Sequence, residues 1–193
     1  MENKKQEIRD QVNVRIQDLN TEQRESFSQT ACENLKDFLL ARRCRRVLLF
    51  SSLADEISLL PFIQQHQKEF DIFLPKADTR TLELSVHPIK NYETDVAVGA
   101  YNISEPITSA VEITPGVLDC VVVPARAIDY EGNRLGRGLG YYDRFLAKFK
   151  DSKTLIACCL YQAQIVFEVP VESFDVPVSF CITEKGYFHL RRK

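Results

Sequence analysis

Three apolar runs constrain this chain more than anything else in it. Arg46-Val-Leu-Leu-Phe-Ser-Ser52, Val117-Leu-Asp-Cys-Val-Val-Val-Pro124 and Thr154-Leu-Ile-Ala-Cys-Cys-Leu160 read as buried strands, and helical patterns alternate with them. Residues 2 to 18 place Ile8, Val12, Ile16 and Leu19 at helical spacing, with Lys4, Lys5 and Arg9 among the polar positions. Basic side chains at such positions are expected to be solvated. Asn20 or Thr21 can cap a second helix, which buries Phe27, Ala31, Leu35, Phe38 and Leu39 and runs out at the arginines of 42 to 46. A third helix is expected from about Glu56 to Lys68, and a fourth from Tyr141 to Lys150 with Tyr142, Phe145, Leu146 and Phe149 on one face. Asp71 to Pro75 reads as a short strand, Thr81 to His87 as a half-exposed one, and Val178 to Thr183 as the last. The section from Pro88 to Pro115 lacks periodicity and is expected to run over the sheet edge. The result is one α/β layered domain spanning 1–193, with a largely parallel sheet and a helical region at 1–45 packed on it.

Only seven glycines occur, and four of them (Gly132, Gly136, Gly138, Gly140) fall within nine residues, between the second apolar run and the fourth helix. A strand, a glycine loop and a helix N-terminus in that order suit an anion, because backbone N–H groups and the helix dipole converge there. Arg134 and Arg137 add what reads as mobile positive charge, and Asp143 adds a carboxylate in the first helical turn. Phosphate with a metal ion is the natural ligand for such a pattern. The strand-end loop Ser51-Ser-Leu-Ala-Asp55 and Glu56 hold further candidate binding groups, since ligands of parallel sheets gather at carboxyl ends of strands. Helix capping by Ser52 or Asp55 explains the same residues without a ligand.

A net charge of −2 gives no support to a general nucleic-acid surface. The six cysteines (32, 44, 120, 158, 159, 181) form no CxxC pair, and no apolar targeting core or membrane span is present. Reduced, structural thiols in a cytoplasmic protein are expected. His66, His87 and His189 have no ligand spacing.

The glycine stretch Gly132-Asn-Arg-Leu-Gly-Arg-Gly-Leu-Gly-Tyr-Tyr-Asp-Arg-Phe-Leu146, with Pro124 and Asp129 before it, resembles the signature of the 5-formyltetrahydrofolate cyclo-ligase (methenyltetrahydrofolate synthetase) family. Further marks fall in order along the chain: Lys5-x-x-x-Arg9, Asp55-Glu56-Ile57, Leu74-Pro75-Lys76, Asn102-Ile-Ser-Glu-Pro106, Gln162, Val169-Pro170, Asp175 and Thr183-Glu184. The resemblance implies a three-layer α/β sandwich of the kind found in ribose-5-phosphate isomerase (NagB/RpiA/CoA-transferase-like) domains. It implies ATP- and Mg²⁺-dependent conversion of 5-formyltetrahydrofolate into 5,10-methenyltetrahydrofolate through an N5-iminium phosphate, by a monomer. The runner-up is a nucleotide- or folate-binding relative with another activity.

Residue by residue, the resemblance puts Lys5 and Arg9 at the ATP phosphates, and wraps ATP with Arg134, Leu135, Gly136, Arg137, Gly138, Leu139, Gly140, Tyr141 and Tyr142. Arg9 and the stretch Arg137 to Tyr141 also meet the folate, with Arg137 and Tyr141 at the reacting groups. Ser51 and Glu56 line the pterin site, and Asp143 and Asp175 hold Mg²⁺. The chain departs from the family pattern at Ser58, Arg126, Ile128, Leu139 and Phe174.

Overall fold

The computed structural model describes residues 1–99, 103–107, 109, 111, 117–150 and 152–190. Asn102 of the family marks, together with Pro115 and Gly116, lies outside them.

Helix α1 (Glu2–Gln17) and helix α2 (Thr21–Ala41) meet at a capping box, in which the Asn20 side chain accepts from the Gln23 N–H and the Gln23 side chain accepts in return. Strands β1 (Arg46–Leu48), β2 (Asp71–Asp78), β3 (Glu83–Ile89), β6 (Cys120–Val123), β9 (Leu155–Cys159), β10 (Phe180–Thr183) and β11 (Gly186–His189) form one sheet in the order β11-β10-β9-β6-β1-β2-β3. The five inner strands are parallel, and β3 and β11 pair antiparallel at the two edges. Helix α3 (Leu60–His66) joins α2 on one face; α5 (Tyr141–Leu146) covers the other. The sheet with helices on both faces is the three-layer α/β arrangement expected.

Alternation along the inner strands explains why both faces are dry. Val47, Leu49, Cys120, Val122, Ala157, Cys159 and Ile182 point toward α2 and α3, while Leu48, Val121, Val123, Ile156, Cys158 and Cys181 point the other way, toward α5. All six cysteines are buried and free. Burial pushes the Cys158 thiol up to about 12 and the Cys32 thiol up to about 11, so both stay protonated and pack as small apolar groups.

Four regions differ from the sequence reading. Helix α3 begins at Leu60 rather than near Glu56, with Pro61 in its first turn. Upstream, the polar side chains close an irregular loop instead, for the Ser52 Oγ accepts from the Leu59 N–H and Glu56 from the Leu53 N–H. The 88–116 section contains a short helix, α4 (Tyr92–Asp95), and a hairpin of β4 (Val96–Val98) with β5 (Ser104–Pro106). A second hairpin, β7 (Ala127–Ile128) with β8 (Arg134–Leu135), separates β6 from the glycine loop. Strand β11 was not anticipated.

The chain order places a switch point in the sheet. From β1 it moves outward through β2, and later returns to β6 on the opposite side of β1. At such a reversal the loops leaving two adjacent parallel strands diverge and open a crevice at their carboxyl ends.

Candidate active site

The crevice is present. A cavity of about 350 Å³ opens above the carboxyl ends of β1 and β6. Ser51, Leu53 and Glu56 reach it from beyond β1, and Pro124, Ala125 and Arg126 from beyond β6. Pro75 and Ala77 of β2 and Leu84 of β3 add apolar wall. Lys5, Arg9, the whole run from Arg134 to Asp143, and Asp175 line it too, so the residues that the family resemblance assigned to the site lie around one cavity, while Asp55 lies outside its lining.

The glycine loop is shaped by backbone that only glycine adopts easily. Gly138 (φ 100°) and Gly140 (φ 67°) are left-handed, and Gly140 caps α5. Two arginines take up its carbonyls: Arg9 Nε donates to the Gly136 oxygen at 3.1 Å, and Arg144 Nη2 to the Leu139 oxygen at 2.6 Å. Gly132 serves a different purpose. It turns the β7–β8 hairpin at φ 87°, where any Cβ would strike the Val178 carbonyl.

The charged residues are arranged as pairs, and this corrects the sequence reading at three positions. Lys5 is not a solvated residue of a helix surface but is 7% exposed, with Nζ 3.0 Å from Glu172 and 3.4 Å from Asp175. Burial alone would lower its pKa, but those two carboxylates raise it above the usual lysine value, and the ammonium is retained. Arg134 is not mobile. Its side chain is 3% exposed, donates to Asp143 Oδ1 at 2.8 Å and to the Pro124 carbonyl at 3.4 Å, and lies over the Tyr142 ring. Arg137 is held too, by Asp55 and by Glu56 Oε1, the latter at 3.3 Å from both Nε and Nη2.

Asp55 and Glu56 are adjacent yet shifted in opposite directions. Burial would raise the Asp55 carboxyl, but the Arg137 hydrogen bond and the Arg137 and Arg126 charges hold it below the usual range. Burial dominates at Glu56 and raises its carboxyl despite the Leu53 N–H and Arg137.

Among the described residues, Ser51 Oγ and Arg134 Nε are buried at the cavity without a hydrogen-bond partner. Unsatisfied buried donors are rare in native proteins and mark places where a ligand or water completes the structure. The donor set also suits a magnesium ion. Asp143 and Asp175 present hard carboxylate oxygens to one cavity, and each has a second oxygen beyond the one its cationic partner engages. No group of three or more His, Cys, Asp or Glu side chains converges among the described residues. One or two carboxylates beside substrate phosphates are how Mg²⁺ is held, rather than a closed protein cage.

Sequence reasoning missed Glu172 and the role of Asn13. Both act across long sequence separations, Glu172 on Lys5 and Asn13 on Arg126 at 3.1 Å, and no local signal marks either. Asp129 is buried and accepts from the Glu131, Asn133 and Val169 N–H groups and the Asn133 side chain, so it braces the hairpin below the loop. Leu139 and Phe174 are half or more exposed at the cavity mouth, and Ile128 is wholly buried. No helix among the described residues is long and apolar enough to cross a membrane.

Comparison with known proteins identifies the family and the fold. A 5-formyltetrahydrofolate cyclo-ligase from Haemophilus influenzae is 27% identical over 177 residues, covering 91% of this chain and 95% of that one. The solved structure of Aquifex aeolicus 5,10-methenyltetrahydrofolate synthetase superposes with a TM-score of 0.82 at 32% identity, covering 97% of this chain and 93% of that one. A 5,10-methenyltetrahydrofolate synthetase from Mycoplasma pneumoniae shares the fold with a TM-score of 0.74 at 20% identity, covering 93% of this chain and 98% of that one. The model of the 5-formyltetrahydrofolate cyclo-ligase family matches residues 1–184. The chain belongs to the 5-formyltetrahydrofolate cyclo-ligase family of enzymes.

Proposed function

We propose that the protein closes 5-formyltetrahydrofolate to 5,10-methenyltetrahydrofolate, with ATP used as its Mg²⁺ complex and cleaved to ADP and phosphate. The observation that carries this is the single cavity at the sheet's switch point, in which cationic, glycine-loop and carboxylate groups meet. ATP phosphates lie along Gly136 to Gly140, near Arg9 and Lys5. The pterin edge donates to Glu56 and engages Ser51 Oγ, which otherwise has no partner. The formyl oxygen and the γ-phosphate then meet beside Arg137 and Tyr141.

The chemistry needs positioning and charge neutralisation rather than a protein nucleophile. The formyl oxygen attacks the γ-phosphorus and ADP departs, giving an N5-iminium phosphate. N10 attacks the activated carbon, and as the ring closes the formyl oxygen leaves with the phosphate, which takes up the proton lost from N10. Lys5, Arg9 and Arg137 stabilise the charge on the transferring group, and the apolar wall of Pro75, Ala77 and Leu84 limits water. Mg²⁺ held at Asp143 and Asp175 neutralises phosphate charge when bound.

Purified protein with 5-formyltetrahydrofolate and MgATP is expected to produce the methenyl chromophore in proportion to phosphate released. Folded protein that forms neither product at any substrate concentration refutes the proposal.

A further inference from the structure

We propose that Arg126 is a positioning residue for Arg137, acting through Asp55. Its side chain, 7% exposed, donates from Nη1 to Asp55 Oδ2 at 2.6 Å and from Nη2 to Asn13 Oδ1 at 3.1 Å. The other Asp55 oxygen, Oδ1, accepts from Arg137 Nη2, and Arg137 also reaches Glu56 Oε1. The four charges alternate in sign along one continuous chain from α1 to the glycine loop. Arg126 is fixed at its backbone as well, its N–H donating to the Leu135 carbonyl at 2.7 Å and its carbonyl accepting from Gln164 at 3.1 Å.

The division of Arg137 between two carboxylates depends on this arrangement. Asp55 gives one oxygen to each guanidinium, so Arg137 is free to give Glu56 its Nε and share Nη2. Without the Arg126 charge, both Asp55 oxygens are available to Arg137, and a bidentate pair is the stronger arrangement. Arg137 then swings toward Asp55, away from Glu56 and the cavity. Asn13 sets the reach of Arg126 from α1, so the helix that carries Lys5 and Arg9 is tied to the group that faces Glu56.

The kinetic part of the test rests on the cyclisation reading; a spectroscopic part does not. Arg126→Leu is expected to lower kcat/KM for both substrates by about ten- to hundredfold, the loss typical of a misplaced supporting group. Arg126→Lys, which keeps a cation on Asp55, is expected to stay within about threefold of the parent because one charge-assisted hydrogen bond survives. Arg126→Gln keeps a donor without charge, falls with the leucine variant, and replaces it where leucine prevents folding. Adding Asp55→Asn to Arg126→Leu removes the competing charge and is expected to restore activity rather than lower it further. In ¹⁵N-labelled protein, the Arg137 Nε–H resonance is expected to shift in Arg126→Leu or Arg126→Gln and to return in the double variant. An unshifted resonance overturns the proposal whether or not the protein turns over. Additive losses in the double variant, or a leucine variant that loses only melting temperature, overturn it as well.

Discussion

Removing the Asp143 carboxylate tests the pairing around the glycine loop, because it strands a buried cation. Arg134 is 3% exposed at its side chain and already has one nitrogen, Nε, without a partner. Its strongest contact is the 2.8 Å hydrogen bond to Asp143, and what would remain is the 3.4 Å contact to Pro124 and the face of Tyr142. Breaking one side of a fully buried pair costs about 3–5 kcal/mol, and the 20% exposure of Asp143 lets water recover part of that, leaving about 2–4 kcal/mol. For a domain of this size that is a fall in melting temperature of about 5–15 °C. Thermal unfolding followed by circular dichroism would measure it. Asp143→Asn keeps an acceptor for Arg134 and is expected to lose under about 1.5 kcal/mol. Arg134→Met combined with Asp143→Ala strands no charge and is expected to be more stable than Asp143→Ala alone. The reasoning fails if Asp143→Ala melts with the parent, or if the double variant shows the sum of the single losses. The asparagine variant then isolates the chemistry: strongly reduced turnover at nearly unchanged stability, with a raised Mg²⁺ requirement, is expected if this carboxylate meets the metal.

Other expectations concern the frame. Glu56→Gln is expected to stabilise the protein at neutral pH while weakening folate binding, checked by melting curves and by KM. The sign follows from the raised Glu56 pKa: the folded state holds the proton more tightly, so stability falls as pH rises from the unfolded value through the folded one. Melting temperature insensitive to Glu56→Gln between acidic and neutral pH would contradict this. Gly132→Ala is expected to cost at least about 2 kcal/mol in chemical denaturation, since the backbone must leave φ 87° or displace the Val178 carbonyl. Phe38→Ala is expected to cost about 3–5 kcal/mol by the same measurement, because Phe38 is fully buried against Phe180 and Tyr187. A loss below about 1 kcal/mol would mean that α2 recloses over the gap.

The layered fold was legible because its evidence is local. Unbroken apolar runs such as Cys120 to Val123 carry their burial in their own composition, and Asn20, one of the two caps read from sequence, starts the second helix. The glycine loop was legible for the same reason. What failed were features whose cause lies elsewhere in the chain. Lys5 sits at a position that local pattern calls polar, and only Glu172 and Asp175, more than 160 residues away, make it a buried ion pair. Asp55 and Glu56 looked like the first turn of a helix because acidic residues often mark one. Here they face Arg137 and the Leu53 N–H, and the helix waits for Leu60. Strands β7 and β8 are two residues each, too short for any period to show, and β11 alternates exposed and half-buried residues at an edge.

The Lys5 pairing has a consequence for how the protein is made. Its amine enters the cavity from the first helix, while its two carboxylate partners lie at 172 and 175. During synthesis the first helix leaves the ribosome long before either partner exists. The nascent chain therefore carries the Lys5 ammonium without its full pair of carboxylate partners until some 175 of the 193 residues have been translated. Docking of the first helix through this pair is then a late event in the life of the chain, and it reports on completion of the fold rather than guiding it. A chain stalled before residue 172 is expected to hold its first helix poorly even with its glycine loop intact.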